Sequence, residues 1–385
     1  MLRLIFFYGS LFYFSISNVF LQDLKIKIFS KTDINKVLFH NSNGSYSIYG
    51  DSSYLLSLNA DQSIEIYKSD NKLTIDFNNV NIGSFDKIRV IQDSLNSSIN
   101  ISVFNKKELS KRIYKGDFEL DIDNDHLKII NKIDMHNYLS GVMLSEVGER
   151  RDSEYYKVQV LISRTYALKN MKRHIKNGFN LCDQVHCQAY YKSNTSFKNN
   201  IDAAVYATKD LVIVDSSNNL IGSFFHANCG GQTVEPDQVW NDKIYYLKSF
   251  KDTFCTKTKQ ANWEIKILKN EWLAYFKRNY FLPVNDSIMK TMILNFKQPY
   301  RKTFFIDPKY GIPLRDIRKD FSLKSTYFSC YENNDYVHLK GRGFGHGVGL
   351  CQEGAIEMVK NNYKYSEVIR YYYPGTTIIN RQKID

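Results

Sequence analysis

The stretch LKIINKIDMHNYLSGVMLSEV, residues 127–147, changes its hydrophobic period halfway along. Its first residues, Leu127-Lys128-Ile129-Ile130, continue the strand-like alternation of the chain before them. Tyr138, Val142 and Ser145-Glu146 are instead spaced as on a helix. This stretch therefore predicts a strand that leads into a helix with an acidic residue, Glu146, behind it.

The chain upstream of this stretch alternates apolar and polar residues over short runs. Lys25-Ile26-Lys27-Ile28 and Ser63-Ile64-Glu65-Ile66 are examples, and turn formers such as Asn41-Ser42-Asn43-Gly44 separate such runs. Runs of this kind predict short antiparallel strands. We therefore predict a β-rich N-terminal region at residues 23–110, followed by a second domain at residues 111–380.

The downstream chain mixes helices and strands. A long helix is expected after Asp152-Ser153, which can cap it, and Gly178 is a plausible stop. Strands are expected at residues 211–214 and 221–225. Residues 262–320 are rich in Lys, Phe and Tyr without a readable motif, and we interpret them as an inserted lobe. Together these elements predict an α+β fold, mainly antiparallel β with a few helices.

The first seventeen residues have the composition of a secretory signal peptide. Met1-Leu2-Arg3 is a short positive start, residues 4–14 are largely apolar, and Ser15-Ile16-Ser17 offers a small-residue cleavage site. The alternatives are a buried N-terminal strand or a retained membrane anchor. We expect residues 1–17 to direct export across the inner membrane, to the periplasm or to the extracellular cell wall.

The net charge of +12 favours an anionic partner, and the aromatic content is 15%. Lysine is nevertheless spread along the chain without a dense basic block, so charge alone does not select a partner, and we do not predict nucleic acid. Aromatic residues can line a sugar-binding groove or simply fill β-rich cores.

Glu146 is the candidate acid. A carboxylate placed behind an apolar helix at a cleft wall loses part of its hydration, which raises its pKa and lets it hold a proton near neutral pH. A general acid that breaks a glycosidic bond needs this property. The plain alternative is a solvated glutamate at a helix end.

A second candidate site combines two thiols and two imidazoles. Cys182, His186 and Cys187 lie within six residues, with His174 eight positions before Cys182. Such a set can hold zinc in a closed, tetrahedral, structural site. A disulfide between Cys182 and Cys187 is the main competing interpretation.

Two glycine-containing segments complete the pattern. Residues 226–233, HANCGGQT, can face a ligand or form a tight turn. Residues 341–352, GRGFGHGVGLCQ, hold five glycines in nine positions, which lets a backbone loop lie against a flat ligand. Their order matches neither the Walker pattern nor the dinucleotide fingerprint, so nucleotide binding is not predicted. His346 is interpreted as a positioned polar group.

In this order the segments resemble the SpoIID/LytB family of sporulation and cell-wall proteins. The resemblance covers about residues 110–380 and includes residues 138–146, 163–167, 182–188, 226–233 and 343–352, with Tyr372-Tyr373-Pro374-Gly375 at the end. It implies a lytic transglycosylase that cleaves the MurNAc–GlcNAc bond of peptidoglycan, preferably in denuded glycan strands.

The resemblance also implies roles for single residues. The family's catalytic glutamate falls on Glu146, and a structural zinc falls on Cys182, His186 and Cys187, with His174 as the fourth ligand. The substrate-binding residues expected from the motifs are Tyr138, Arg164, His226, Asn228, Gly230, Gly231, Gly345, His346 and Gln352.

Two other functions stay open at this point. The first is a non-catalytic module that binds glycan and enhances a cell-wall amidase, as LytB-type relatives are linked to amidase stimulation. The second is a zinc hydrolase with its metal among His186, His226 and His346. Two disulfides are also considered, Cys229–Cys255 and Cys330–Cys351, because an exported protein with six cysteines permits them.

Overall fold

The computed structural model describes residues 23–104, 109–149, 151–194, 200–240 and 242–384. The predicted signal peptide at residues 1–17 lies outside these segments. Among the described residues, every helix falls short of the length and apolar character that crossing a membrane requires.

The strands of the described segments are β1 (Leu24–Ile28), β2 (Lys36–Asn43), β3 (Tyr46–Gly50), β4 (Ser53–Leu58), β5 (Ser63–Ser69), β6 (Lys72–Phe77), β7 (Val80–Phe85), β8 (Ile88–Gln92), β9 (Ser98–Phe104), β10 (Leu109–Tyr114), β11 (Asp117–Asp123), β12 (His126–Ile133), β13 (Leu181–Cys182), β14 (Leu211–Val214), β15 (Phe225–His226), β16 (Asn262–Leu268), β17 (Phe328–Asn333), β18 (Tyr336–Arg342), β19 (Leu350–Cys351) and β20 (Thr377–Asn380). The helices are α1 (Met135–Glu146), α2 (Ser153–Lys169), α3 (Asn200–Ala207), α4 (Asp237–Trp240), α5 (Lys269–Tyr280), α6 (Ser287–Leu294), α7 (Leu314–Asp320), α8 (Gln352–Lys360) and α9 (Tyr365–Tyr372).

Two large sheets are built mainly from the first half of the chain. One has the strand order β13-β1-β12-β11-β8-β3-β4, and the other has the order β10-β9-β2-β5-β6-β7. All pairings in them are antiparallel except β1 with β13. The alternation seen in the sequence turns every second side chain inward, as in β1, where Leu24, Ile26 and Ile28 are buried. The predicted α+β class, mainly antiparallel with helices added, is confirmed.

The first two helices begin at aspartate caps. The Asp134 carboxylate accepts the Asn137 N–H at the start of α1, and the Asp152 carboxylate accepts the Glu154 N–H at the start of α2. The second helix was expected to run towards Gly178, but it ends at Lys169. Gly178 instead adopts a left-handed conformation and closes a short 3₁₀ turn at Ile175–Asn177.

The division expected near residue 110 does not separate two cores. Leu24 of β1 pairs with Ile133 of β12, and Ile26 pairs with Leu181. One continuous hydrophobic cluster contains buried residues from Leu24 to Val205 and includes α1. The N-terminal strands therefore support the helix that carries Glu146. Long-range strand pairing decides this arrangement, and local patterns do not reveal it.

The inserted lobe is longer than residues 262–320. Strand β16 pairs along its whole length with β18, from Asn262 opposite Arg342 to Leu268 opposite Tyr336, and β17 pairs with β18. The three-stranded sheet and helices α5, α6 and α7 enclose a separate core that includes Trp272. The lobe therefore closes at Arg342, directly before the glycine-rich loop.

Candidate functional site

A cavity of about 670 Å³ lies where the sequence motifs meet. Of the residues selected from the sequence, it is lined by Glu146, His186, Cys187, His226, Gly345, His346 and Gln352. The end of α1, the Cys/His segment, the turn after β15 and the glycine-rich loop thus contribute to one concave surface.

A short parallel pairing brings two distant motifs together. Strand β15 pairs with β19, so that His226 lies opposite Cys351. Asn228 and Phe344 exchange two backbone hydrogen bonds of 3.0 and 2.8 Å. Gly345 fits this close approach, because a Cβ atom there would come within 2.8 Å of the His226 Cβ. The glycine at position 345 therefore allows the glycine-rich loop to pack closely against the turn after β15.

Glu146 is the last residue of α1 and is half-buried in the cavity wall. Its Oε1 accepts a 2.7 Å hydrogen bond from the Ala189 N–H. Burial raises the pKa of Glu146 above that of an ordinary carboxyl group, and the Ala189 N–H partly offsets this effect. The C-terminal end of the helix dipole also disfavours the charged form. The carboxyl group can therefore hold a proton at a higher pH than a solvated glutamate.

The four predicted zinc ligands converge. Ligand atoms of His174, Cys182, His186 and Cys187 all lie within 4.8 Å of one another. Cys182 Sγ is 3.4 Å from His186 Nδ1, and Cys187 Sγ is 3.4 Å from His174 Nε2. Hydrogen bonding with Cys182 lowers the pKa of Cys187 to about 6, which favours a thiolate ligand. Two thiols and two imidazoles fit a tetrahedral zinc ion, and both cysteines are free thiols.

His226 offers an unpaired acceptor to the cavity. Its Nδ1 lies 3.1 Å from the Val348 carbonyl oxygen, and its buried Nε2 has no hydrogen-bond partner among the described residues. Burial lowers the pKa of His226 well below its ordinary value, so the ring is neutral. Since a neutral ring that donates from Nδ1 has a lone pair on Nε2, this buried atom is an unused hydrogen-bond acceptor.

His346 lies beside His226, with 5.5 Å between the ring centroids. Its Nδ1 accepts the Val348 N–H at 3.0 Å, and burial lowers its pKa to about 4. The two imidazoles are therefore uncharged polar groups at neutral pH. His226 and His346 belong to neither cluster of metal-ligating side chains found among the described residues, so no observation favours the zinc-hydrolase alternative.

Two side chains that were predicted to bind substrate instead form hydrogen bonds with other protein groups. Tyr138 is fully buried in the first core, and its hydroxyl donates to Gln188 Oε1 at 3.1 Å. Arg164 is buried and donates to the carbonyl oxygens of Thr208, Leu211 and Val205. Neither lines the cavity, so both assignments are corrected to supporting roles. An arginine whose donors are filled by backbone carbonyls is not free to bind a sugar.

The Asn-Cys-Gly-Gly turn is also internal. The Asn228 side-chain amide donates to Glu353 Oε2 at 2.7 Å and to Thr258 Oγ1 at 2.8 Å. A Cβ atom on Gly230 would meet the Arg342 backbone at 2.7 Å, and Gly231 has a φ of 96°. None of the three lines the cavity, so Asn228, Gly230 and Gly231 are corrected from ligand contacts to residues that shape the turn.

Sequence reasoning missed two exposed side chains at the cavity. Trp240 ends α4, with its ring centroid 5.0 Å from that of His346 and 4.7 Å from that of Phe224. Arg173 donates to the Tyr166 hydroxyl at 2.7 Å. A tryptophan that follows a motif was the available signal for the first residue. No local pattern indicated Arg173.

The cavity has neighbours on the far side of Glu146. A second cavity of about 110 Å³ is lined by Glu146, Gln352 and Glu353, among other residues. A third, of about 830 Å³, shares Arg151, Gln260 and Glu353 with the second. The 110 Å³ cavity shares lining residues with each of the two larger cavities and therefore joins them in a row, and Glu146 lines the 670 Å³ and the 110 Å³ cavities.

Neither expected disulfide is formed. Cys330 lies in the lobe core, whereas Cys351 lies in a different hydrophobic cluster that also contains Cys229 and Cys255, so the predicted pairing of Cys330 with Cys351 is wrong. Cys229 and Cys255 are neighbours with 3.3 Å between their sulfur atoms, yet both are free thiols.

Comparisons with known proteins agree with these motifs. The family model described as SpoIID, stage II sporulation protein, matches residues 123–214. An uncharacterized protein of Brachyspira hyodysenteriae is 27% identical over 280 residues, which cover 68% of this chain and 71% of the relative. The stage II sporulation protein D of Bacillus subtilis is 27% identical over 266 residues, which cover 65% of this chain and 75% of that protein.

The amidase enhancer of Bacillus subtilis is 26% identical over 293 residues, which cover 62% of this chain but only 40% of the enhancer. The region matched by the family model contains Glu146 and the whole Cys/His cluster. The resemblance to the SpoIID/LytB family is therefore confirmed, with residues 123–214 as the stretch of this chain that the SpoIID family model matches.

Proposed function

We propose that this protein has a role in the cell wall and cleaves peptidoglycan glycan strands as a lytic transglycosylase, with Glu146 as the acid and base. The observation that carries the proposal is the state of Glu146. It is a half-buried carboxyl group with a raised pKa in the wall of a cavity, held by the Ala189 N–H. A protonated carboxyl group in such a place is suited to general acid catalysis.

The reaction needs one carboxyl group in two roles. Glu146 first gives its proton to the oxygen that bridges MurNAc and GlcNAc, and the bond from this oxygen to the muramic anomeric carbon breaks. GlcNAc leaves with a hydroxyl group, while positive charge develops at the muramic carbon. The Glu146 carboxylate then takes the proton of the 6-hydroxyl group of the same muramic sugar. The oxygen of this hydroxyl group bonds to the anomeric carbon at the same time. A 1,6-anhydro ring closes, Glu146 is reprotonated, and no water is consumed.

The surroundings of Glu146 favour this use of one acid. The two cavities that Glu146 lines contain, among described residues, one other carboxylate, Glu353. Its Oε2 accepts hydrogen bonds from Asn228 Nδ2, the Thr258 hydroxyl and the Gln260 N–H. These three hydrogen bonds engage one oxygen of the Glu353 carboxylate with neighbouring protein groups. The usual two-carboxylate hydrolysis needs a second carboxyl group free to activate water, whereas Glu353 is engaged by Asn228, Thr258 and Gln260.

The row of cavities suits a polymeric substrate. A glycan strand that lies across Glu146 would occupy the 670 Å³ cavity on one side and the 830 Å³ cavity on the other. Trp240 and Phe344 present exposed aromatic surface at the first cavity. Such rings can pack against the apolar face of a sugar.

We also propose a structural zinc ion on His174, Cys182, His186 and Cys187. Bound zinc would stabilise the fold by cross-linking this segment. It would take no part in the reaction, because four protein ligands leave no open coordination position. Ala189 follows Cys187 by two residues and donates its N–H to Glu146. Holding this segment would therefore keep the hydrogen bond to the catalytic acid in place. The predicted signal peptide at residues 1–17 would bring the protein to its substrate.

The decisive experiment compares Glu146→Gln with wild type on denuded glycan strands, with 1,6-anhydro products measured by mass spectrometry. We expect a loss of roughly 10²- to 10⁴-fold, because glutamine cannot donate the proton. Glu149→Gln is the matched control, since Glu149 is exposed and lines none of the three cavities. Undiminished product release by Glu146→Gln would rule out the proposal.

A relative named amidase enhancer supports a second candidate, a glycan-binding module that stimulates an amidase. It predicts no anhydro product from glycan and protein alone. Adding a purified cell-wall amidase would then release stem peptides faster in the presence of this protein. Glu146→Gln would leave such stimulation unchanged, which separates the two functions.

A further inference from the structure

A second group of metal-ligating side chains lies behind the cavity wall. Cys229, Asp252, Cys255 and Cys351 are all buried, and one ligand atom of each lies within 4.8 Å of the others. Cys229 Sγ is 3.3 Å from Cys255 Sγ and 3.3 Å from Asp252 Oδ2. The reaction proposed above uses none of the four.

Three separate chain segments build this group. Cys351 lies at the end of β19, next to β15, and Cys229 follows β15 in the glycine turn. Asp252 and Cys255 come from the segment that runs alongside this turn, where the Asp252 N–H donates to the Gly231 carbonyl oxygen at 3.1 Å. Convergence of three cysteines and one aspartate from such distant positions is specific to the tertiary structure.

We propose that Cys229, Asp252, Cys255 and Cys351 form a second metal site that takes a tetrahedral zinc ion. Thiolates and carboxylates both bind zinc, and four protein ligands close a tetrahedral structural site. A zinc–sulfur bond of about 2.3 Å in a tetrahedron puts sulfur atoms roughly 3.8 Å apart. The 3.3 Å between Cys229 and Cys255 therefore needs only a small outward shift of the side chains.

Hydrogen bonds around the group match those expected of ligands. The Tyr372 hydroxyl donates to Asp252 Oδ2 at 2.9 Å. The Cys229 and Gly354 N–H groups both point at Cys351 Sγ, at 3.3 and 3.4 Å. Donors of this kind orient ligands and stabilise their negative charge. A Cβ atom on Gly354 would come within 2.2 Å of the Tyr372 hydroxyl oxygen, so this position must stay small.

A buried cation is already present beside the group. Arg301 is buried and donates to the Cys229 carbonyl oxygen at 2.6 Å. Four anionic ligands exceed the charge of one zinc ion, and the guanidinium offsets part of this excess in a region where charge is poorly solvated.

A disulfide explains less of the arrangement. A bond between Cys229 and Cys255 would use two of the three sulfurs and would leave Cys351 Sγ and the Asp252 carboxyl group outside the cross-link. A metal ion accounts for all four side chains at once. The ion would also tie the turn after β15 to the end of β19, directly behind Ala227 and Gln352 of the cavity wall. Its role is structural.

Zinc content of the purified full-length protein tests the proposal, measured by native mass spectrometry and elemental analysis. Cys351→Ser should lose one zinc ion relative to wild type, as should Cys187→Ser, which removes the first site instead. Cys330→Ser is the matched control, because Cys330 is buried in the lobe core outside both groups, and it should keep the wild-type content. If the Cys/His site binds no metal, the wild-type protein should hold one zinc ion and the Cys351→Ser protein none. The experiment therefore tests the two proposed sites independently.

Cobalt binding by the Cys187→Ser protein provides a test that leaves the second site intact. We expect absorption bands of a tetrahedral cobalt–thiolate centre, and zinc should displace them. Their absence, wild-type zinc content in Cys351→Ser, or a Cys229–Cys255 disulfide in the unreduced, metal-free wild type would each overturn the proposal.

Discussion

The Ala189 N–H donates a 2.7 Å hydrogen bond to Oε1 of Glu146, and Ala189 lies two residues after the zinc-ligand candidate Cys187. The segment that carries three candidate metal ligands, Cys182, His186 and Cys187, therefore also positions the candidate acid. This contact gives the Cys/His cluster a physical connection to the reaction, although the cluster itself takes no part in proton transfer. Experiments on Glu146 should therefore measure the protonation of its carboxyl group.

The pH dependence of glycan cleavage should follow the protonation of Glu146. Burial raises the pKa of Glu146, and the acid must carry its proton at the start of the reaction. We expect the rate of anhydro-product release to fall as the pH rises through this raised pKa. Rates measured from about pH 4 to about pH 9 test this, because a falling limb confined to the ordinary carboxyl range would contradict it.

The Glu146→Gln protein should be more stable than wild type near neutral pH. Because its folded-state pKa is raised, Glu146 stabilises the fold at low pH, and this stability is lost as the pH rises through that pKa. Glutamine imitates the protonated acid at every pH and can still accept the Ala189 N–H. We expect a melting temperature higher by about 1–4 °C near pH 7, with the two proteins converging near pH 4.

Trp240→Ala should weaken glycan binding without unfolding the protein. The side chain is 38% exposed and stacks near His346 and Phe224 at the cavity. Loss of its packing surface is expected to lower affinity for denuded glycan about three- to tenfold in a pull-down titration. Tyr336→Ala, at a ring 42% exposed in the lobe, is the control and should bind as wild type. Equal effects of both substitutions would exclude a specific contact by Trp240.

Arg164→Met should lower stability rather than ligand affinity. Burial lowers the pKa of Arg164 to about 10, and its donors meet the carbonyl oxygens of Thr208, Leu211 and Val205. Leaving these acceptors unpaired should reduce the free energy of unfolding by about 3 kcal/mol in urea titrations. Arg370→Met, at an exposed position, should change it by less than about 0.5 kcal/mol. A stable Arg164→Met protein that lost glycan affinity would restore a binding role.

Removal of residues 1–110 should prevent folding of the remainder. The deletion removes β1, which pairs with β12 and contributes to the core that contains α1. We expect residues 111–385 to lack a cooperative thermal transition in circular dichroism, whereas the full-length chain should have one. A cooperatively folded fragment would mean that the predicted domain boundary is physically real.

Local patterns in the sequence were sufficient for several features. Alternating residues predicted strands such as Leu24–Ile28, because a strand buries every second side chain. The change of period at residues 127–147 predicted the helix that ends at Glu146, and Asp152 predicted the start of the next helix. Residue types and spacing also identified the Cys/His group, since all of its members lie between His174 and Cys187 in the sequence.

The sequence by itself thus determined that Glu146 lies at the end of a helix. It also determined the order of the motifs around this residue. Tertiary structure alone decided which motif residues reach the cavity. Pairing of β15 with β19 turns His226 and His346 towards it while Asn228 and Gly230 are packed inside. The same pairing gathers Cys229 and Cys351, whose positions in the chain carry no local sign of contact. Strand pairing between distant segments depends on the whole buried surface, and a local pattern records only the preferences of its own backbone.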